Sequence, residues 1–173
     1  MIAERDRVLH APDLIEPVIG FREWRIRDGQ LVSPYVDLPW EAGPLRASCL
    51  PRSDRVRVAR GATGHREPAP APQCACGIYA YFEPYRREWS PAYGWLVAGA
   101  VILWGRIELH RGGMRAQHAR VAALALPPWG APVRRRLVRQ VAEAMQIETV
   151  SRSNLRSAGL RYGRRIPPEM LPR

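Results

Sequence analysis

All three cysteines of the chain lie in one short window, and a histidine lies between them. The window begins at Cys49, contains His65 and Cys74, and ends at Cys76. Three thiolates and one imidazole form a ligand set that closes a tetrahedral structural zinc site. The pattern therefore predicts that a zinc ion joins two segments that are distant in sequence. This set of three cysteines and one histidine constrains the fold more than any other feature of the chain.

The spacing of the four residues is not that of a standard zinc finger, and two alternatives stay open. Cys-x-Cys, as in Cys74 and Cys76, is a less specific signal than Cys-x-x-Cys. One alternative is a set of free thiols with a histidine in a loop. The other is a redox disulfide, such as Cys49 with Cys74. A four-ligand set has no open coordination position, which favours a structural role over metal catalysis.

A long Pro- and Gly-rich segment, 51–73, is predicted to be a loop. A short strand over 45–50, ending at Cys49, leads into it, and a second short strand is predicted at 55–58. Long loops in compact domains are usually functional, disordered or tied to another part of the protein. Zinc binding would supply part of the folding energy of this one.

The rest of the pattern predicts an α+β fold with an antiparallel sheet. Alternating apolar and polar residues over about 95–126 predict a central hairpin that turns at Gly112-Gly113. Asp28-Gly29 lies between two apolar runs and predicts another hairpin. We expect the metal-tied or Pro-rich loop to lie on one side of this sheet, and a C-terminal helix to complete the domain.

Pro132 suits the first turn of that C-terminal helix. Its predicted apolar face consists of Val133, Leu137, Val138, Val141, Ala144 and Met145, and its polar face of Arg134, Arg135, Arg136 and Arg139. The expected organisation is a partly ordered lead-in over 1–19, a single α+β domain over 20–147 and a basic C-terminal tail over 148–173.

The polar face of the central hairpin is a second candidate site. A two-residue turn at Gly112-Gly113 would place His110 opposite Arg115, with Glu108 on the same surface. A glutamate, a histidine and an arginine in this arrangement can perform acid–base chemistry. The alternative is an ordinary solvated strand face with a cross-strand charge pair. His118 falls on the apolar face and is expected to be a core histidine.

The chain is strongly basic, with a formal net charge of +11, and all 27 of its basic residues are arginine. Without lysine, neither Schiff-base catalysis by lysine nor a P-loop lysine is possible. The many arginines of the C-terminal region predict a surface that binds nucleic acid or an acidic protein partner. Its candidate residues are Arg134, Arg135, Arg136, Arg139, Arg152, Arg156, Arg161, Arg164 and Arg165. The alternative is that the arginines reflect a GC-rich genome and the neighbouring aromatic residues are core.

The sequence predicts a cytoplasmic protein with no membrane partner. No apolar run approaches the roughly 18 residues that a membrane span needs. The charged N-terminus leads into no apolar signal core. Cysteines in the cytoplasm are reduced, which favours metal binding over a disulfide framework.

Several motifs resemble those of a group of small bacterial proteins, frequent in actinobacteria, that have no assigned function. The resemblance covers roughly 18–128. It is carried by His65, by Cys74-Ala75-Cys76-Gly77-Ile78-Tyr79-Ala80, by Trp104-Gly105-Arg106, and by His110, Gly113 and Arg115-Ala116. It implies that Cys49, His65, Cys74 and Cys76 belong to the pattern of the group. The resemblance implies no activity.

These features together favour a non-enzymatic binding module with a structural zinc site and a basic C-terminal interface. Two alternatives stay open. One is an enzyme of unknown reaction that uses Glu108, His110 and Arg115. The other is a structural or regulatory subunit of a larger assembly, in which the aromatic stretch that begins at Tyr79 forms the interface.

Overall fold

The fold is α+β, as the sequence predicts, and consists mostly of antiparallel sheet with helices near the C-terminus. The computed structural model describes residues 9–10, 16–49, 68–72, 74–84, 89–90, 92 and 94–172. The strand predicted at 55–58 lies outside these residues.

The first six strands are β1 Leu9–His10, β2 Val18–Arg27, β3 Gln30–Val32, β4 Pro39–Trp40, β5 Leu45–Arg46 and β6 Ile78–Tyr81. The later strands are β7 Trp89–Ser90, β8 Gly94–Trp95, β9 Val97–His110, β10 Gly113–Ala125 and β11 Glu148–Val150. The α-helices are α1 Pro132–Ala144 and α2 Leu155–Leu160. The predicted strand over 45–50 is shorter than expected. β5 ends at Arg46, before Cys49.

The long hairpin of β9 and β10 is the centre of the sheet, as predicted. β2 pairs antiparallel with β9 along most of its length, and it also reaches β6 through Phe21 and Tyr81. Since β6 pairs with β10, these four strands close on one another. The predicted hairpin at Asp28-Gly29 is confirmed, and both residues have positive φ, as a type I′ turn requires.

The predicted turn of the central hairpin is wrong by one residue. Gly113 is the first residue of β10 and pairs with His110, so Arg111 and Gly112 make the turn. The reason is the neighbouring strand β6, which pairs with β10 at Gly113. A Cβ atom at position 113 would clash with the Ala80 carbonyl oxygen, so glycine is needed there for β6 to approach β10. The correct register places Glu108, instead of His110, opposite Arg115.

The prediction that His118 is a core histidine is also wrong. A register irregularity between Ala116 and His118 breaks the alternation of β10, and Gly105 on β9 has a φ of +77° at this point. His118 therefore pairs with Trp104 and is only half-buried, with its ring stacked on the indole at a centroid distance of 5.6 Å.

Two apolar clusters lie on opposite faces of β10, because successive residues of a strand point to opposite sides. Leu124 belongs to the cluster that includes Val138 and Val141 of α1. Ala123 belongs to the cluster that includes Leu155 and Ala158 of α2. The two helices therefore cover different faces of the central hairpin.

The buried face of α1 differs from the predicted one. Arg135, expected on the solvent face, is buried, and its guanidinium donates a hydrogen bond of 2.6 Å to the Pro127 carbonyl. Val133 and Leu137, expected in the core, are exposed. The helix is therefore rotated relative to its apolar pattern, and Arg135 is accommodated because its charged end reaches a backbone acceptor.

The predicted basic tail, 148–173, carries regular structure over its described part. β11 pairs in parallel with β10, and Leu155 and Ala158 of α2 are fully buried. Further on, the backbone of Arg164 exchanges hydrogen bonds with Pro17 and Ile19 at the start of β2. Residues 148–172 thus pack on the sheet, because their few apolar side chains complete its second cluster.

Candidate metal centre and adjoining cavity

The three cysteines meet at one point, although β5 precedes Cys49 and β6 follows Cys74 and Cys76. Their Sγ atoms all lie within 4.8 Å of one another, and those of Cys49 and Cys74 are 3.7 Å apart. Two thiolates on one tetrahedral zinc ion are separated by about 3.8 Å, given a Zn–S bond of about 2.3 Å. The three sulfurs are therefore close enough to hold a metal ion. His65, the predicted fourth ligand, lies outside the described residues.

The thiols lie in a small apolar cluster of their own. Cys74 and Cys76 are buried with Ala69 and Ala71, and Cys49 is partly buried against them. The pKa of Cys76 is raised to about 11, mainly by burial; a backbone hydrogen bond opposes this shift and the neighbouring thiols add to it. Without a metal ion this thiol is protonated at neutral pH, so metal binding must displace its proton.

The segment that carries Cys74 and Cys76 is held by two arginines of the central hairpin. Arg115 on β10 donates hydrogen bonds to the carbonyl oxygens of both cysteines, the one to Cys76 being 3.1 Å long. Arg106 on β9 donates longer ones, of 3.3 Å to the Pro70 carbonyl and 3.4 Å to that of Pro68. The hairpin thus positions the backbone on which two of the three candidate ligands lie.

Gly77 makes this approach possible. Its φ is +127°, a conformation that other residues rarely adopt. A Cβ atom here would lie 3.1 Å from that of Arg115 and 3.3 Å from that of Pro70. A side chain at position 77 would therefore push the cysteine segment away from β10.

Glu108, His110 and Arg115 form one network, but this network is not a solvated strand face. Glu108 is 1% exposed and Arg115 is 6% exposed, and the two form a buried ion pair. The Arg115 Nε donates a hydrogen bond of 3.1 Å to the Nε2 of His110, so that nitrogen carries no proton in this arrangement. The guanidinium thus contacts the carboxylate, the imidazole and the two cysteine carbonyls at the same time. This geometry favours a positioning role for Arg115, and the acid–base role of the three residues stays a prediction.

A large cavity adjoins the cysteine segment. Its volume is about 1030 Å³, and its wall includes Cys74, Cys76 and Arg22. Arg22 is buried and packs over the ring of Trp40, with its Cζ 5.1 Å from the ring centroid. Burial lowers the pKa of Arg22 to about 10, so the side chain stays charged at neutral pH.

Sequence reasoning missed Arg22 and Trp40 as candidate site residues. A signal was present for Arg22, because it occupies the same alternate positions of β2 as Val18 and Trp24, which are core residues. A charged residue on the buried face of a strand indicates a buried partner or a site. Trp40 carried no such signal, since it lies in a strand of two residues between prolines and glycines.

The predicted basic surface is largely engaged within the protein. Arg156 and Arg165 both pair with Glu83, Arg161 pairs with Glu148, and Arg164 pairs with Glu16. Two more contact aromatic rings, Arg134 at Trp95 and Arg135 at Trp129. Arg136 and Arg139 are exposed and have no ion pair within the described part of the chain. The structure thus does not bring the nine arginines together as one free cationic face.

Exposed apolar side chains lie beside Arg136, and Arg139 follows Arg136 three residues later on the same helix. Trp129, in the turn before α1, is 84% exposed and Val133 is 72% exposed, and Leu137 lies four residues after Val133 on the helix surface. Arg136 is three residues from Val133 and neighbours it on the helix surface. We define the α1 surface as Trp129, Val133, Arg136, Leu137 and Arg139. It combines apolar area with positive charge.

Searches against known protein families, curated proteins and solved structures find no match to this chain. The resemblance to small actinobacterial proteins therefore stays a prediction. Of the helices in the described ranges, none has the length and apolar character that crossing a membrane requires.

Proposed function

We propose that this protein is a non-enzymatic binding module whose Pro-rich loop is held by a structural zinc ion. Cys49, Cys74 and Cys76 would supply three thiolates, and His65 would supply the fourth ligand. The observation that supports the proposal most is the 3.7 Å between the Cys49 and Cys74 sulfurs. Clustered thiolates select soft or borderline metals, and a closed set of three sulfurs and one imidazole suits zinc.

The experiment is metal analysis of protein purified without added zinc. We expect about one zinc ion per chain, and a loss of the metal in the Cys49→Ser and Cys76→Ser variants. His65→Ala should weaken zinc retention, whereas the matched control His118→Ala should leave it unchanged. A zinc content near zero, with both cysteine variants folding normally, would contradict the proposal. A disulfide between Cys49 and Cys74, detected by mass spectrometry of the native protein, would support the redox alternative instead.

The partner that we propose for this module is an acidic protein surface that binds the α1 surface. Its aliphatic side chains, Val133 and Leu137, favour a protein over nucleic acid, since a phosphate backbone offers them no apolar contact and among its apolar members Trp129 alone can stack on a base. Its arginines favour an acidic partner, and the net charge of +11 opposes self-association through the same surface.

The test compares retention on immobilised polyglutamate and on single-stranded DNA at increasing salt. We expect the protein to be retained by polyglutamate, and the double variant Arg136→Glu/Arg139→Glu to elute at lower salt. The control Arg111→Glu/Arg120→Glu makes the same change in net charge at two exposed arginines outside the α1 surface. Stronger retention on DNA would assign the surface to nucleic acid. Equal effects of the two double variants would show that net charge alone determines retention.

A further inference from the structure

The cavity beside the cysteine segment has the size and the walls of a small-molecule site. Ligand pockets typically measure about 300–1000 Å³ and are mostly apolar with a few polar groups, and this one measures about 1030 Å³. Its apolar wall includes Leu38, Ile78 and Met114. None of these residues belongs to the α1 surface, so the cavity is a separate feature from the proposed partner interface.

Aromatic side chains dominate the mouth of the cavity. Tyr35 is 45% exposed and Tyr79 is 44% exposed, and both line the opening together with Tyr81. The hydroxyl groups of Tyr35 and Tyr81 are 3.4 Å apart. Large aromatic surfaces left in contact with solvent around a concave site are typical of ligand binding. Several rings at one opening favour a ligand that presents a flat face.

The charges of the wall favour an anion. Arg22, Arg46 and Arg115 line the cavity, and Glu23 is the acidic residue among the described lining residues. Glu108 neutralises Arg115 from behind the wall, so Arg22 and Arg46 face Glu23 with an excess of positive charge. Arg46 is exposed, which leaves its guanidinium accessible.

Arg22 provides the buried polar group that such a site needs. Its guanidinium donates hydrogen bonds to the Ser33 hydroxyl, at 2.8 Å, and to the Tyr79 carbonyl. Its Nε is buried and has no acceptor among the described residues. A buried positive charge that lines an apolar cavity is costly unless an anion compensates it.

From these observations we infer that the cavity binds a small aromatic anion, namely a planar ring system that carries a carboxylate or sulfonate group. The rings at the mouth would contact the flat face of the ligand, and Arg46 and Arg22 would attract its charge. This inference does not depend on the identity of the metal ion or on the partner of the α1 surface.

The probe is 8-anilinonaphthalene-1-sulfonate, an anion with a planar naphthalene ring system, whose fluorescence rises when it leaves water. Titration into the full-length, metal-loaded protein should give saturable binding of one dye per chain. The double variant Tyr35→Ala/Tyr79→Ala should weaken binding at least tenfold. The matched control Tyr162→Ala removes an aromatic ring of similar exposure, 42%, that does not line the cavity, and should bind as the native protein does.

The role of charge is tested separately. Arg46→Glu should weaken binding of the sulfonate dye several-fold, whereas the control Arg120→Glu should not. N-phenyl-1-naphthylamine, a neutral dye of similar shape, should bind more weakly than the sulfonate. Non-saturable binding, equal losses in the tyrosine variant and its control, or tighter binding of the neutral dye would overturn the inference. Because this dye also binds loosely packed states, each variant must retain a cooperative urea transition. If the double tyrosine variant loses it, Tyr35→Ala alone takes its place.

Discussion

Glu108 on β9 and Arg115 on β10 face each other across the central hairpin and form an ion pair that is almost fully removed from solvent. The same guanidinium holds the carbonyl oxygens of Cys74 and Cys76. The pair therefore links the centre of the sheet to the candidate metal centre.

Loss of one partner of this pair should destabilise the fold strongly. Arg115→Met leaves the Glu108 carboxylate buried without a counter-ion, at a cost of about 3–5 kcal/mol in the free energy of unfolding. Urea denaturation measures this change. The double variant Glu108→Leu/Arg115→Met should lose less than the sum of the single variants, because it leaves no unpaired charge. Additive losses would contradict a direct coupling between the two residues.

The close approach of Gly77 to Arg115 should matter for metal binding. Gly77→Ala is expected to cost about 1–3 kcal/mol of stability through its backbone conformation. It should also weaken zinc binding, measured by competition with a chromophoric chelator, because the new Cβ displaces the cysteine segment. Gly29→Ala is the matched control, since Gly29 also has positive φ but has open space around it. If both variants bind zinc as the native protein does, the approach is unimportant for the site.

The packing of the C-terminal segment can be tested with two leucines of the same short helix. Leu155 is fully buried against the second cluster, so Leu155→Ala should cost about 2–5 kcal/mol. Leu160 is exposed, and Leu160→Ala should change stability by about 0.5 kcal/mol or less. Thermal or urea unfolding of the two variants distinguishes them. Similar small effects would indicate a segment that does not pack on the sheet.

Acidic pH should reveal the environment of His118. Burial lowers the pKa of His118 below its usual value, and the charge of Arg46 lowers it further. In the unfolded chain this histidine has a pKa of about 6.5, so the unfolded chain takes up a proton more readily than the folded protein. The contribution of His118 to stability is therefore complete above this pH and is lost as the pH falls below it.

The measurement is urea unfolding of the native protein and of His118→Gln between pH 5 and pH 8. As the pH falls, the native protein should lose more stability than the His118→Gln variant does. A difference that is independent of pH would contradict a lowered pKa. The comparison isolates His118, since both proteins share every other titrating group.

Local patterns predicted much of the fold correctly. The hairpin of β9 and β10 follows from the alternation of apolar residues, the first turn of α1 from Pro132, and the turn at Asp28-Gly29 from its two residues. Each of these signals acts over a few neighbouring residues. The grouping of Cys49 with Cys74 and Cys76 was predicted from the ligand chemistry of their side chains, and the structure brings the three together.

What the sequence could not reveal depends on contacts between distant residues. Gly113 belongs to the strand instead of the turn because β6 approaches it, and nothing near Gly113 in sequence indicates this. Arg135 is buried because the Pro127 carbonyl accepts from it. Residues 148–172 contain too few apolar side chains to predict a packed segment, yet Leu155 and Ala158 complete a cluster that β2, β9 and β10 leave open.

The contact between Val18 and Arg164 has a consequence for the order of folding during synthesis. Val18 is made well before its partner in this bridge, which lies 146 residues further along the chain. At about 5–20 residues per second, synthesis reaches this neighbour roughly 7–30 s after the start of β2 is made. During that interval the nascent chain can form its central hairpin, but the second apolar cluster stays exposed until α2 emerges. A ribosome that stalls before this point would present an open apolar surface to chaperones and proteases.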